Sequence, residues 1–192
     1  MLAFHNDPAV QSKYLNRIEQ HRIHDEIVQG YYWENGKGCA VGCILHSSYH
    51  KAAESEIGIP EWLMRLIDGI FEQLQNGDAK NFPVEFLSAI PLGADISPVR
   101  DQFLAWLMED EKYGLAHTVR DDEIKALAAE VGKRLRTGEG VTGKQAEALT
   151  KKLTAAWDAW DAWDAWAARD ACDAFVKASR DKLLELLRNT QP

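Results

Sequence analysis

Apolar residues recur at helical spacing along most of the chain, and glycine and proline cut the pattern into segments. Asn6-Asp7-Pro8 places a capping side chain before a proline, and Val10, Tyr14 and Ile18 then repeat every four residues. This predicts a helix from about residue 8 to Gln29, ahead of Gly30. Tyr31, Tyr32 and Trp33, followed by Asn35-Gly36, predict a short β-hairpin-like aromatic loop near 31–41. Between Pro60 and Gly77, Trp62, Leu63, Leu66, Ile67, Ile70, Phe71 and Leu74 form an unbroken stripe, so a helix is expected there, closed by Asn76-Gly77. Pro83 and Pro91 bracket a short helix. Ser97-Pro98 opens another, with Val99, Phe103, Trp106 and Leu107 inward. Residues 120–136 read as an amphipathic helix, acidic at its start and basic at its end. After Gly143 no glycine or proline occurs until Pro192, and a helix over 143–189 would be about 70 Å long. The expected fold is mostly α: a helical bundle over 1–135, a glycine-rich linker at 136–142, and a long C-terminal helix over 143–189. That helix would pack on the bundle or on a second copy, giving a homodimer.

Composition narrows the function classes. Of 192 residues, 27% are charged and 46% hydrophobic, as in ordinary globular domains. No apolar run approaches the roughly 18 residues of a membrane span, and the first ten residues lack the basic-then-apolar order of a signal peptide. Three cysteines without a disulfide framework fit a reducing compartment, so a cytoplasmic location is expected. The net charge is −8, and residues 51–111 carry 12 Asp/Glu against 4 Lys/Arg. Such a segment repels a phosphate backbone, which makes direct nucleic-acid binding unexpected. Glu54, Glu56, Glu61, Asp68 and Glu72 would suit a basic protein partner, or simply a solvated surface.

The segment 155–166 repeats Trp-Asp-Ala. Each three-residue step falls about 60° short of a full turn, so Trp157, Trp160, Trp163 and Trp166 sweep across half a helix circumference. One core-facing stripe cannot hold all four. They would either be covered on two sides or serve as a dimer seam or partner surface.

The segment Gly38–His50 holds Cys39, Cys43, His46 and His50. On one straight helix they would form a single narrow stripe, but its ends lie about 16.5 Å apart, too far for one ion. Each half could supply a ligand pair, completed by His5, His21 or His24 from upstream, with zinc or iron as the candidate ion. A second chemistry is also open. Cys39 follows a glycine-rich loop at an expected helix start, where a thiolate is stabilised; a histidine from the first helix would be its base, oriented by Asp25 or Glu26. The plain alternative is a core helix whose buried positions are Cys and His.

Residues 3–22, 25–48 ("DEIVQGYYWENGKGCAVGCILHSS"), 56–72 and 86–97 together resemble a group of uncharacterised proteins of bacteriophages, prophages and bacterial mobile elements. The resemblance covers about residues 3–110 and implies a setting inside a bacterial host. It brings no known activity. With the acidic middle and the tryptophans, it leads to the expectation of a protein that binds a bacterial host protein, for example an inhibitor of a defence complex such as CRISPR. A metal-binding or cysteine-dependent enzyme is the alternative.

Overall fold

The computed structural model describes residues 1–158 and 165–192, without the side chains of 76 and 153–170. The side chains of Trp157, Trp160, Trp163 and Trp166 therefore lie outside the described residues. The fold is mostly α-helical, with one two-stranded antiparallel hairpin and a C-terminal helix. Two compact units divide the chain: residues 1–99 with 173–192, and residues 100–172. None of the described helices is long and apolar enough to cross a membrane.

The first unit opens with a short turn, Ala3–Asn6, in which Phe4, His5 and Asn6 all adopt positive φ. Left-handed backbone costs about 1–2 kcal/mol per non-glycine residue. Here it is held by fully buried Phe4 and by backbone bonds from Ala3 to Ala94 and from Gly93 to Ala3. Helix α1 (Pro8–Ile23) starts as expected, with Asp7 capping Ala9 N–H at 2.8 Å. It ends at Ile23 rather than Gln29, because Asp25 turns left-handed (φ 59°) and residues 26–28 run alongside Gly38. Strands β1 (Trp33–Glu34) and β2 (Lys37–Gly38) make the expected hairpin.

Helix α2 is only Ala40–Leu45, and His46 closes it in a left-handed conformation. Cys39 to His50 is thus not one helix, and the single-stripe geometry does not arise. Helix α3 (Ala52–Ile57) leads to α4 (Glu61–Phe71), which carries the expected stripe: Leu63, Met64, Ile67, Ile70 and Phe71 are buried. It stops before Asn76 because Gln29 reaches over to its last carbonyls, donating to Phe71 O at 2.7 Å and Leu74 O at 2.8 Å. Asn76 instead begins α5 (Asn76–Ala89), which runs through Pro83. Proline removes one helical N–H, so this is a tertiary override: Phe82, Phe86 and Leu87 are fully buried on α5.

Helix α6 (Ser97–Glu109) leads into the second unit, which contains α7 (Leu115–Thr118), α8 (Asp122–Thr137) and α9 (Gly143–Asp158). Asp121 caps α8 through bonds from the N–H groups of Glu123 and Ile124. Met108, Ile124, Ala128, Val131 and Leu149 form this unit's core. Helix α10 (Ala165–Arg188) brings the chain end back to the first unit. There Leu183, Leu184 and Leu187 are buried, Asp78 pairs with Lys177 and Arg180, and Gln191 O accepts from Asp95 N–H.

Candidate functional site

The hairpin loop and α2 meet more closely than side chains would permit. A Cβ on Gly42 would stand 1.7 Å from Tyr32 O, and one on Gly38 would stand 2.2 Å from it. Glycine at both positions lets the loop lie on the start of α2, where Cys39 N–H donates to Tyr31 O at 2.6 Å and Tyr32 O at 3.1 Å. Cys39 is the N-cap of α2, and its sulfur accepts from Gly42 N–H at 3.3 Å.

This fold sets the Cys39 thiol against α4. Ligand atoms of Cys39, Asp68 and Glu72 lie within 4.8 Å of one another, the one such cluster among the described residues. Asp68 and Glu72 are four residues apart, so both face the same side of the helix end. Each carboxylate is fixed by one oxygen. Asp68 Oδ2 is bonded to His50 Nε2 at 3.1 Å, and Glu72 Oε2 accepts from Gly30 N–H at 2.8 Å. Asp68 Oδ1 is buried without a hydrogen-bond partner. Beside the carboxylates lies a cavity of about 180 Å³ lined by Gly30, Tyr31, Tyr32, Asp68 and Glu72.

The electrostatics favour a cation. Burial pushes the Cys39 thiol up to about 12, and the neighbouring Asp68 adds to the rise, against a lowering bond from Gly42 N–H. Burial also raises Glu72, and the charge of Asp68 contributes, outweighing the Gly30 N–H. Three anionic ligands in one place disfavour one another's ionised forms; a divalent ion would reverse that.

The other expected ligands are dispersed. Cys43 is fully buried, its thiol turned to Gly38 O at 3.3 Å and Glu26 O at 3.5 Å. His50 holds Asp68. His21 and His46 face each other with Nε2 atoms 2.7 Å apart. His5 reaches Ser55 O at 3.1 Å, and His24 is the exposed C-cap of α1. Neither His5 nor His24 lies in the Cys39 cluster. Asp68 and Glu72 were expected on a partner face, not beside a cysteine. The signal for them was an acidic i,i+4 pair bordering the most apolar stripe of the chain. The other three acids of that expected face are also engaged in the fold: Glu54 accepts from Glu61 N–H, Glu56 from Tyr14 OH at 2.5 Å, and Glu61 from Arg65. A larger cavity, about 580 Å³, lies in the second unit, but its charged lining is paired, Arg136 with Glu109 and Lys125 with Asp122.

Fold and cluster together define a mostly helical protein with a thiol–dicarboxylate site at a loop-to-helix junction. No protein-family model, curated protein or solved structure matches the chain.

Proposed function

We propose that the protein binds a divalent metal ion through Cys39, Asp68 and Glu72. The observation that carries this reading is the convergence of the three ligand atoms within 4.8 Å, with Asp68 Oδ1 buried and unpartnered. One thiolate and two carboxylates suit zinc, and iron(II) as the alternative ion. His50 would act as an outer partner that orients Asp68, and mutation of such partners commonly lowers metal affinity 10- to 100-fold. The neighbouring 180 Å³ cavity fits a site that keeps a coordination position for water or a small ligand. Elemental analysis of untagged protein, purified with zinc and iron present, tests the reading. About one ion per chain is expected, lost in Cys39→Ser and Asp68→Asn and kept in Cys43→Ser. Absence of both metals from the wild-type protein refutes it.

A second reading is that the chain is a mobile-element protein that binds a bacterial host protein and inhibits a defence complex such as CRISPR. Tyr31 and Tyr32, 58% and 66% exposed on the hairpin loop, support it, since exposed tyrosines are frequent interface anchors. Phage survival in a CRISPR-positive host expressing the protein tests it. Unchanged protection by the Tyr31→Ser, Tyr32→Ser double variant counts against that surface.

A further inference from the structure

A second polar cluster sits at the other end of α2. His21 Nδ1 lies 2.6 Å from Glu26 Oε2, and His21 Nε2 lies 2.7 Å from His46 Nε2. Trp33 stacks flat on His46, with centroids 4.4 Å apart at 8°, and meets His21 edge-on at 5.5 Å. We propose that Glu26, His21 and His46 form a proton relay in which His46 Nδ1 takes a proton from a hydroxyl-bearing ligand, water included, and the positive charge comes to rest on His21 beside Glu26.

The hydrogen bonds dictate the resting tautomers. Glu26 is an acceptor, so His21 Nδ1 carries the proton it donates. His21 Nε2 is then a lone pair, and His46 Nε2 must be the donor toward it. That leaves the lone pair of His46 on Nδ1, which has no hydrogen-bond partner among the described residues. His46 itself is exposed, while one ring face is covered by Trp33. When a ligand O–H bond breaks and an N–H bond forms at His46 Nδ1, the Nε2–H bond of His46 can break as one forms on His21 Nε2. His21 becomes an imidazolium bonded to the Glu26 carboxylate, and the ligand is left as its conjugate base. Atoms and charge balance without another reactant.

The surrounding charges favour this division of roles. Partial desolvation of the ring, one face of which Trp33 covers, holds His46 below the ordinary histidine value, and the positive charges of Arg17 and His21 lower it further, against smaller raising effects from Glu56 and Glu26. Arg17 on α1 is fixed by Ile44 O, and Glu56 on α3 by Tyr14 OH. A charge on His46 itself is therefore disfavoured, whereas one on His21 lies 2.6 Å from a carboxylate. Two protonated rings would set two N–H groups against each other across 2.7 Å, so the pair holds one extra proton, not two. The residues differ from those of the proposed ion site, so either reading can fail without the other.

Nitrogen NMR of the full chain with ¹⁵N-labelled histidine tests the relay. At pH 8 His21 is expected in the Nδ1–H form and His46 in the Nε2–H form. On acidification the pair should take up one proton, with its signature shared by both rings. Glu26→Gln retains an acceptor for His21 but removes the charge 2.6 Å from its ring, so uptake should move to lower pH. Diethyl pyrocarbonate should acylate His46 in the wild-type protein, and about tenfold more slowly in His21→Gln. Wild-type rings both in the Nε2–H form at pH 8 would overturn the proposal without any variant. So would independent titration of the two rings, or uptake unchanged by Glu26→Gln.

Discussion

The buried cysteines give a sharp test of whether this protein can use a cysteine nucleophile. Burial pushes the Cys43 thiol up to about 12 from the ordinary 9.0, and the nearby Glu26 charge adds to the rise. At pH 8 the thiolate fraction of such a group is about one in ten thousand, against about one in ten for an ordinary thiol, a difference of about 1,000-fold. A more basic thiolate is intrinsically more nucleophilic. A slope of about 0.4–0.5 over three units returns some 20-fold, leaving about 50-fold slower reaction from ionisation alone. Occlusion adds to this, since Cys43 is fully buried and Cys39 is 2% exposed. Cys172 is exposed. Iodoacetamide labelling at pH 8 with a chelator present, followed by peptide mass spectrometry, should modify Cys172 at least about 50-fold faster than Cys39 or Cys43. In denaturant all three should label alike. Native labelling of Cys39 within tenfold of Cys172 would refute the burial argument and restore the nucleophile that the sequence left open.

Three further outcomes follow from the packing. Gly42→Ala drives a methyl group to 1.7 Å from Tyr32 O, so it should lower stability by about 3 kcal/mol and displace the 31–33 loop; a denaturation midpoint within 0.5 kcal/mol of wild type counts against the close approach. Leu183→Ala on α10, fully buried in the first unit, should cost about 2–5 kcal/mol in the same assay, whereas exposed Arg188→Ala should be nearly neutral. Stability should also fall at alkaline pH. Tyr14 rises to about 12 from 10.0 through burial and its bond to Glu56, and Cys43 rises from 9.0; groups raised in the folded state stabilise fully below their unfolded values and lose that contribution as pH climbs toward 12. Cys43 alone should cost about 1 kcal/mol by pH 10, and Cys43→Ala should flatten the decline between pH 9 and 10, read by thermal melts.

The parts of the fold legible in the sequence are those that local chemistry decides. Asp7-Pro8 caps α1, Asn35-Gly36 makes the hairpin turn, and the apolar stripe from Leu63 to Leu74 builds α4. Element ends depart from the local pattern where a distant residue decides them. Gln29 stops α4 from 42 residues away, and the packing of Phe82 and Phe86 carries α5 through Pro83. The first 50 residues hold a concentration of Cys and His. Its grouping was not legible, because it depends on α4 arriving beside the Cys39 turn and on α1 placing His21 opposite His46.

The length of α2 explains why one histidine- and cysteine-rich segment contributes to two separate polar clusters. Six residues separate an N-cap, Cys39, from a left-handed C-cap, His46. The helix therefore projects its two polar ends into different surroundings, the acidic edge of α4 at one and the Glu26–His21 pair at the other, while Ala40 to Leu45 between them are wholly buried. Gly42 lies in the middle and lets the Tyr32–Trp33 backbone cross α2 closely enough to serve both ends: Tyr31 and Tyr32 line the cavity beside Asp68, and Trp33 covers His46. Substitutions confined to one end should therefore act independently. Cys39→Ser should leave the histidine tautomers unchanged, and His21→Gln should leave metal content unchanged. Gly42→Ala, which moves the shared loop, should disturb both readouts together. Metal content and tautomers that respond separately to Gly42→Ala would show that the loop is not what couples the two ends.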